Sequence, residues 1–265
     1  MATTPNFEQI QSFNKVKKDL MRAAVDEFIS ELSEGITLEE VMAEATRIAQ
    51  KYAMLGAELG AQWYDLCTEL AGIKADAAEW DKTPDAVIEA RAQSAMDRAD
   101  TDNARDIFGN YLENIINDSV RRTGSANLWR DYERGLTPGK WARVPVGDTC
   151  AWCLMLASQG AWYVSEESAL GKEAGHYHDD CDCVAVFHAD PESIRGYSDR
   201  LFKYKEMYYD AENTLDSGDM PEELKKRIAV ARAAHKAAYD AGETDKDWTR
   251  YNEDMIIMRY KYGLS

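Results

Sequence analysis

From Phe7 to Leu32 apolar residues return at every third or fourth position: Phe7, Ile10, Phe13, Val16, Leu20, Ala24, Phe28 and Leu32. Residues at those steps share one face of a 3.6-residue helix, so the run predicts a long helix whose apolar stripe must be covered. A second run follows: Val41, Ala45, Ile48, Tyr52, Leu55, Leu59, Trp63, Leu66 and Leu70. Gly35 reads as the C-cap of the first helix, and Thr37 with Glu40 as a capping box that opens the second. Gly56 and Gly60 lie one turn apart, where they let another helix approach closely. Thr83-Pro84 reads as an N-cap followed by Pro at the first helical position, opening a helix over about 84–99. Ile107 to Val120 is strongly amphipathic; Gly124-Ser125 is expected to break it, with a short helix through Leu128, Trp129 and Tyr132 ending near Gly135.

The texture changes at Thr137-Pro138-Gly139. Trp141–Val146 reads as a short edge strand, because Pro145 does not suit a central one. Residues 150–159 read as a short helix stopped by Gly160, and Ala161–Val164 and Cys183–Phe187 as further strands. Helix is expected again after Pro191 through Ile194, Tyr197, Leu201, Tyr204 and Tyr208, then from Pro221 to Tyr239 and from Asp247 to Tyr262. The expected fold is therefore mainly α. It has a helical domain over 1–136, a small zinc-stapled α+β module over 137–190 with two or three short strands, and a helical C-terminal region over 191–265.

The chemistry concentrates in the middle part. The sequence reads Cys150-Ala-Trp-Cys153, then 24 residues, then His178-Asp-Asp-Cys181-Asp-Cys183. C-x2-C lets two thiolates reach one metal from a single turn, and H-x2-C does the same from the other side. Together they supply a Cys3His tetrahedral set suited to structural zinc. Cys183 is a spare that could replace Cys181, since residues two apart in a strand leave the choice of ligand open; His176 and His188 are weaker candidates. Three acidic residues, Asp179, Asp180 and Asp182, crowd thiolates unfavourably unless a cation sits among them. Other readings of the same cysteines are disulfides in an oxidising compartment, or a redox or catalytic centre. A redox C-x2-C usually follows a strand in a βαβ unit, and none is legible. The deaminase order H-x-E then P-C-x2-C is reversed here and lacks its Glu.

Other chemistry is weakly signalled. Glu166 and Glu167 are adjacent and would not face each other on a helix. His235 sits on a largely apolar helix face, Cys67 reads as a small buried apolar residue, and the tryptophans around 129–162 read as the core of the small module. Phosphate-binding, dinucleotide-binding, metalloprotease and nucleophile-elbow motifs are absent. The formal net charge is −17, distributed as −9 over residues 1–140, −6 over 141–190 and −2 over 191–265. No segment offers a phosphate-neutralising surface, so direct nucleic-acid binding is not expected. No run of about 18 apolar residues exists, so neither membrane insertion nor an N-terminal secretion signal is expected.

The stretch Trp141-Ala-Arg-Val-Pro-Val-Gly-Asp-Thr-Cys150-Ala-Trp-Cys153-Leu-Met-Leu-Ala-Ser-Gln-Gly160, followed by Tyr177-His178-Asp-Asp-Cys181-Asp-Cys183, resembles the phage Mu protein F-like minor head proteins, in their actinobacterial phage and prophage form. The resemblance covers about residues 137–188. Where the family's last segment usually reads His-Pro-x-Cys-Arg-Cys, this chain has Asp179 and Asp182 in the Pro and Arg places. The resemblance implies a minor capsid protein of the virion, inside the head. It would act in head morphogenesis, associated with the portal protein or the major capsid protein, after assembly in the bacterial cytoplasm. It implies binding through protein contacts, not catalysis; the alternative is a metal-dependent hydrolase or toxin-type transferase of phage origin. Two apolar stripes could serve as docking anchors or be spent in the protein's own core: Phe7, Ile10 and Phe13 near the N-terminus, and Trp248, Tyr251, Met255 and Met258 near the C-terminus. Self-association is left open.

Overall fold

The computed structural model describes residues 4–33, 35–136, 140–147, 149–163, 169, 183–187, 192, 194–244 and 247–264, with the backbone alone at 125, 129, 132 and 187. The chain divides into two compact units, Met1–Gly139 and Lys140–Ser265. The described residues are mainly helical, and no helix among them is long and apolar enough to cross a membrane.

The first unit holds α1 (Phe7–Glu31), α2 (Leu38–Ala71), α3 (Asp85–Met96) and α4 (Ala104–Glu133). The predicted stripes form its core in part: Phe28, Ile48, Phe108, Leu112, Ile115 and Ile116 are fully buried together with a row of alanines on α2 and α3. Val16 and Leu55 are instead exposed, and α2 beyond Tyr52 buries Ala53, Ala57, Ala61 and Tyr64 in place of Leu55, Leu59, Trp63, Leu66 and Leu70. Asn6 and Thr37 both close capping boxes, with Gln9 and Glu40. The paired glycines act as expected, because α4 lies directly against them. A Cβ on Gly56 would stand 2.9 Å from the carbonyl oxygen of Ile116, and one on Gly60 would run into that of Val120.

Three local expectations are corrected. The first helix ends at Glu31 with Leu32 in extended conformation, and Gly35 (φ 81°) instead makes a left-handed turn before α2. Thr83 is not an N-cap: its hydroxyl donates to Ile115 O (3.3 Å) and Asp118 Oδ2 (3.2 Å), so Pro84 holds the cap position and α3 starts at Asp85. Gly124-Ser125 does not break the helix, and α4 runs unbroken to Glu133.

The reason for the unbroken α4 lies in the chain between α2 and α3, which runs along it as a strap. The N–H groups of Thr83, Asp81 and Glu79 donate to Ser119 Oγ (3.0 Å), Thr123 Oγ1 (3.0 Å) and Asn127 Oδ1 (2.8 Å), and Arg130 Nη2 donates to Asp76 O (3.3 Å). The strap steps by two residues while the helix steps by four. An extended chain covers about 6.6 Å in two residues and a helix about 6.0 Å in four, so the two ladders stay in register. A mid-helix glycine costs about 1 kcal/mol relative to alanine, which bonds on both sides of Gly124 outweigh.

The second unit opens with β1 (Trp141–Pro145) and continues with α5 (Ala151–Ser158), β2 (Cys183–Phe187), α6 (Ser198–Ser217), α7 (Glu222–Asp240) and α8 (Arg250–Tyr262). The expected module over 137–190, from Lys140 onward, and the expected region over 191–265 both fall within it. β1 and β2 form an antiparallel two-stranded sheet in which Trp141 opposes Phe187 and Pro145 opposes Cys183. Pro145 is tolerated because it ends a strand of so small a sheet. Only a single bridge, Trp141 with Tyr163, represents the expected strand at 161–164, whose last residue lies outside the described residues. Helix does not begin at Ile194: Gly196 takes a left-handed φ of 86°, and α6 starts two residues later with Ile194 and Tyr197 buried ahead of it.

The expected anchors are largely consumed internally. Phe7, Ile10 and Met258 are buried, and Phe13 stacks on Trp63 at 4.3 Å between ring centroids. Tyr251 stays 51% exposed. The tryptophans divide: Trp141 is buried, whereas Trp162 is 72% exposed under Lys140 and belongs to no core. His235 is half-buried, edge-on to Trp248 at 5.5 Å. Cys67 is also half-buried, with its thiol pushed up by desolvation.

Candidate metal centre

All five residues of β1 are buried, including the charged one at its centre. α5 follows after a short turn and is apolar on nearly every side, with Ala151, Leu154, Met155 and Ala157 buried, so it is held inside the unit. This fixes the C-x2-C pair. Cys150 is the N-cap of α5 in extended conformation, and its Sγ accepts the N–H of Cys153 at 3.3 Å. The two cysteines share the first turn of one helix and are only 7% and 2% exposed.

Arg143 completes this arrangement. It is 1% exposed, and its guanidinium divides between two partners: Nη2 donates to Cys153 Sγ at 3.1 Å and Nη1 to the carbonyl of Ala169 at 3.0 Å. Tyr163, bridged to Trp141 through both backbone groups, donates its hydroxyl to Leu156 O at 2.6 Å and so ties α5 to the edge of β1. Burial pushes the Tyr163 hydroxyl up, against a smaller downward pull from Arg143.

Cys183 is buried too, at the start of β2 and opposite Pro145. Its surroundings include Tyr197, whose hydroxyl is pushed up first by burial and then by Tyr204 and Cys183. Among the described residues, Cys67, Cys150, Cys153 and Cys183 are free of disulfides. Among those residues, too, no group of three or more His, Cys, Asp or Glu side chains is gathered to hold a metal ion. His178 and Cys181 lie outside the described residues, as do His176, His188, Glu166, Glu167, Asp179, Asp180 and Asp182.

The C-x2-C half nevertheless has the chemistry a thiophilic metal requires. Two buried sulfurs leave one helical turn, and each accepts an N–H. In metal sites such outer donors fix ligand orientation. Sequence reasoning missed Arg143 and Ala169. A signal for the first existed: Arg143 is the only basic residue between Lys140 and Lys172, in the middle of an otherwise apolar strand. No sequence signal marks Ala169, because only its backbone carbonyl is used.

No curated protein and no solved structure matches this chain. The model of the VG15 protein family, a family of phage proteins, matches residues 1–211, which takes in the whole first unit and the second as far as Ala211 in α6. With four fifths of its length covered by that match, the chain belongs to the VG15 protein family.

Proposed function

We propose that the chain is a phage minor capsid protein of the Mu protein F-like kind. It would be housed inside the head, act in head morphogenesis and dock by protein contacts on the portal protein or the inner face of the major capsid protein. The observation that carries this reading is the VG15 match, which covers the first unit, extends into the second as far as residue 211 and includes the C-x2-C turn. Charge supports it. At −17 the protein has no basic stripe to neutralise phosphate, so a place beside packaged DNA requires a protein anchor. A shallow groove between α1 and α2, lined by Phe13, Val16, Leu59, Trp63 and Leu66 together with Glu8, Gln9, Ser12 and Gln62, offers apolar surface of the kind that accepts a partner helix. In this reading the protein works by binding, without catalysis.

The same reading gives the second unit one structural zinc, held by Cys150, Cys153, His178 and Cys181, with Cys183 as the spare thiol. The metal would supply a closed four-ligand cross-link.

Co-expression with the portal and major capsid proteins of the same phage tests the role. The expected result is co-purification with the portal, or incorporation into heads, that survives nuclease and high salt. Exclusion from heads together with tight, salt-sensitive DNA binding would overturn it.

A further inference from the structure

We infer that Arg143 is the positioning residue of the metal centre: one guanidinium arm orients the Cys153 sulfur, and the other holds the backbone carbonyl of Ala169. The inference rests on the zinc reading above and concerns a residue that the ligand motif does not contain. Arg143 lies on β1, ten residues before Cys153, and its Cα is fixed by pairing with Ala185 on β2. From there its side chain, 1% exposed, reaches α5 and Ala169 at once. Ala169 is itself completely buried and stands nine residues before His178. One planar group therefore joins the sheet, the C-x2-C turn and the backbone at Ala169.

The geometry suits arginine specifically. A guanidinium presents N–H groups in a fixed fork, so it can serve a sulfur and a carbonyl simultaneously; a lysine ammonium is a single point donor. A charged N–H on a ligand sulfur strengthens the site in two ways: it holds the sulfur in the direction the metal needs, and it offsets the negative charge that several thiolates bring together.

The test uses the full-length protein, purified with zinc under reducing conditions. Metal content and chelator competition are measured for wild type, Arg143→Gln and Arg143→Lys, and each is also loaded with cobalt for spectroscopy. Wild type is expected to hold about one zinc per chain. R143Q is expected to bind it 10–100-fold more weakly, the range seen when outer partners of metal ligands are removed. Its sulfur-to-cobalt charge-transfer band is expected at lower energy, because a sulfur without its N–H donor holds its lone pairs less tightly. R143K keeps a donor for the sulfur but loses the fork, so its affinity falls less and its band moves less. A folded R143Q with wild-type affinity and wild-type band would overturn the inference and leave the zinc reading intact. If R143Q does not fold, R143K decides by the same two measurements. Zinc-free wild type would overturn the zinc reading itself.

Discussion

The two units of this chain bury their interiors by different means. The first packs apolar stripes from α1, α2 and α4 into one continuous core, and several of its buried polar groups pair between elements distant in sequence. Tyr64 donates to Asp131, Asn127 both donates to and accepts from Glu79, and Thr83 and Ser119 share hydroxyls. The second unit has a two-stranded sheet and shorter elements; both units bury carboxylates, Asp118 and Asp131 in the first and Glu253 and Asp254 in the second, but the second also buries a cation, Arg143, at 1% exposure. Glu253 is served by Trp248 Nε1 at 2.8 Å and by Arg232; among the described residues neither carboxylate oxygen of Asp254 has a hydrogen-bond partner, and Arg250 Nε stands 4.0 Å from its Oδ2. The difference shows that a long helical stripe supplies its own stability. A small sheet-containing unit leans instead on a few polar tie-points such as Arg143, each a place where one change is felt.

The largest expected effect separates the units outright. Stripping metal with a chelator under reducing conditions, or replacing Cys150 with Ser, should melt the second unit early while the helical signal of the first persists. Structural zinc contributes on the order of 10 kcal/mol in small domains, so even a fraction of that exceeds the reserve of a unit this size. Thermal unfolding followed at 222 nm and in the tryptophan near-ultraviolet checks it; coincident, unshifted transitions with and without chelator would break the contrast.

Gly60→Ala attacks the first unit alone. The new methyl has no room before the carbonyl of Val120, so α2 and α4 must separate. The expected loss is about 3 kcal/mol, read as a shift of the helical transition only. Gly56→Ala, with a looser clash, should cost less.

Asp254 sharpens the comparison through pH. Burial raises its pKa from 3.8 to about 6, with Glu212, Glu253 and Asp216 adding to the rise and Arg250 opposing it. The folded state thus favours the protonated form. Its stabilising contribution is complete below pH 4 and is lost as pH rises through 6. Asp254→Asn should therefore stabilise the second unit by about 1–2 kcal/mol at pH 8 and by nothing measurable at pH 4. Denaturant titrations at the two pH values measure the difference, and equal effects would count against a buried carboxylate that burial holds protonated.

The smallest effect tests the continuity of α4. A Cβ at Gly124 meets nothing within 4 Å, so Gly124→Ala should add about 0.5–1 kcal/mol to the first unit. A helix broken at that point would gain nothing from alanine.

Much of this was legible along the chain, and for one reason: periodicity and capping are local. The stripes of α1 and α2, the Thr37–Glu40 box, the strand Cys183–Phe187 and the helix after Cys150 all depend on residues within a turn or two of each other. The C-x2-C spacing is local in the same sense, and it announced two sulfurs on one turn before any packing was known. What required the tertiary structure was every decision made by a distant partner. Thr83 leaves its cap because Ile115 and Asp118 take its hydroxyl, and α4 passes through Gly124 because the strap bonds Thr123 and Asn127 on either side. Phe7 and Ile10 turn inward because the unit has a core to receive them. Arg143 shows the limit most plainly. Its sequence neighbours mark it as an oddity in a buried strand, but only folding brings the sulfur of Cys153 and the carbonyl of Ala169 within reach of one guanidinium.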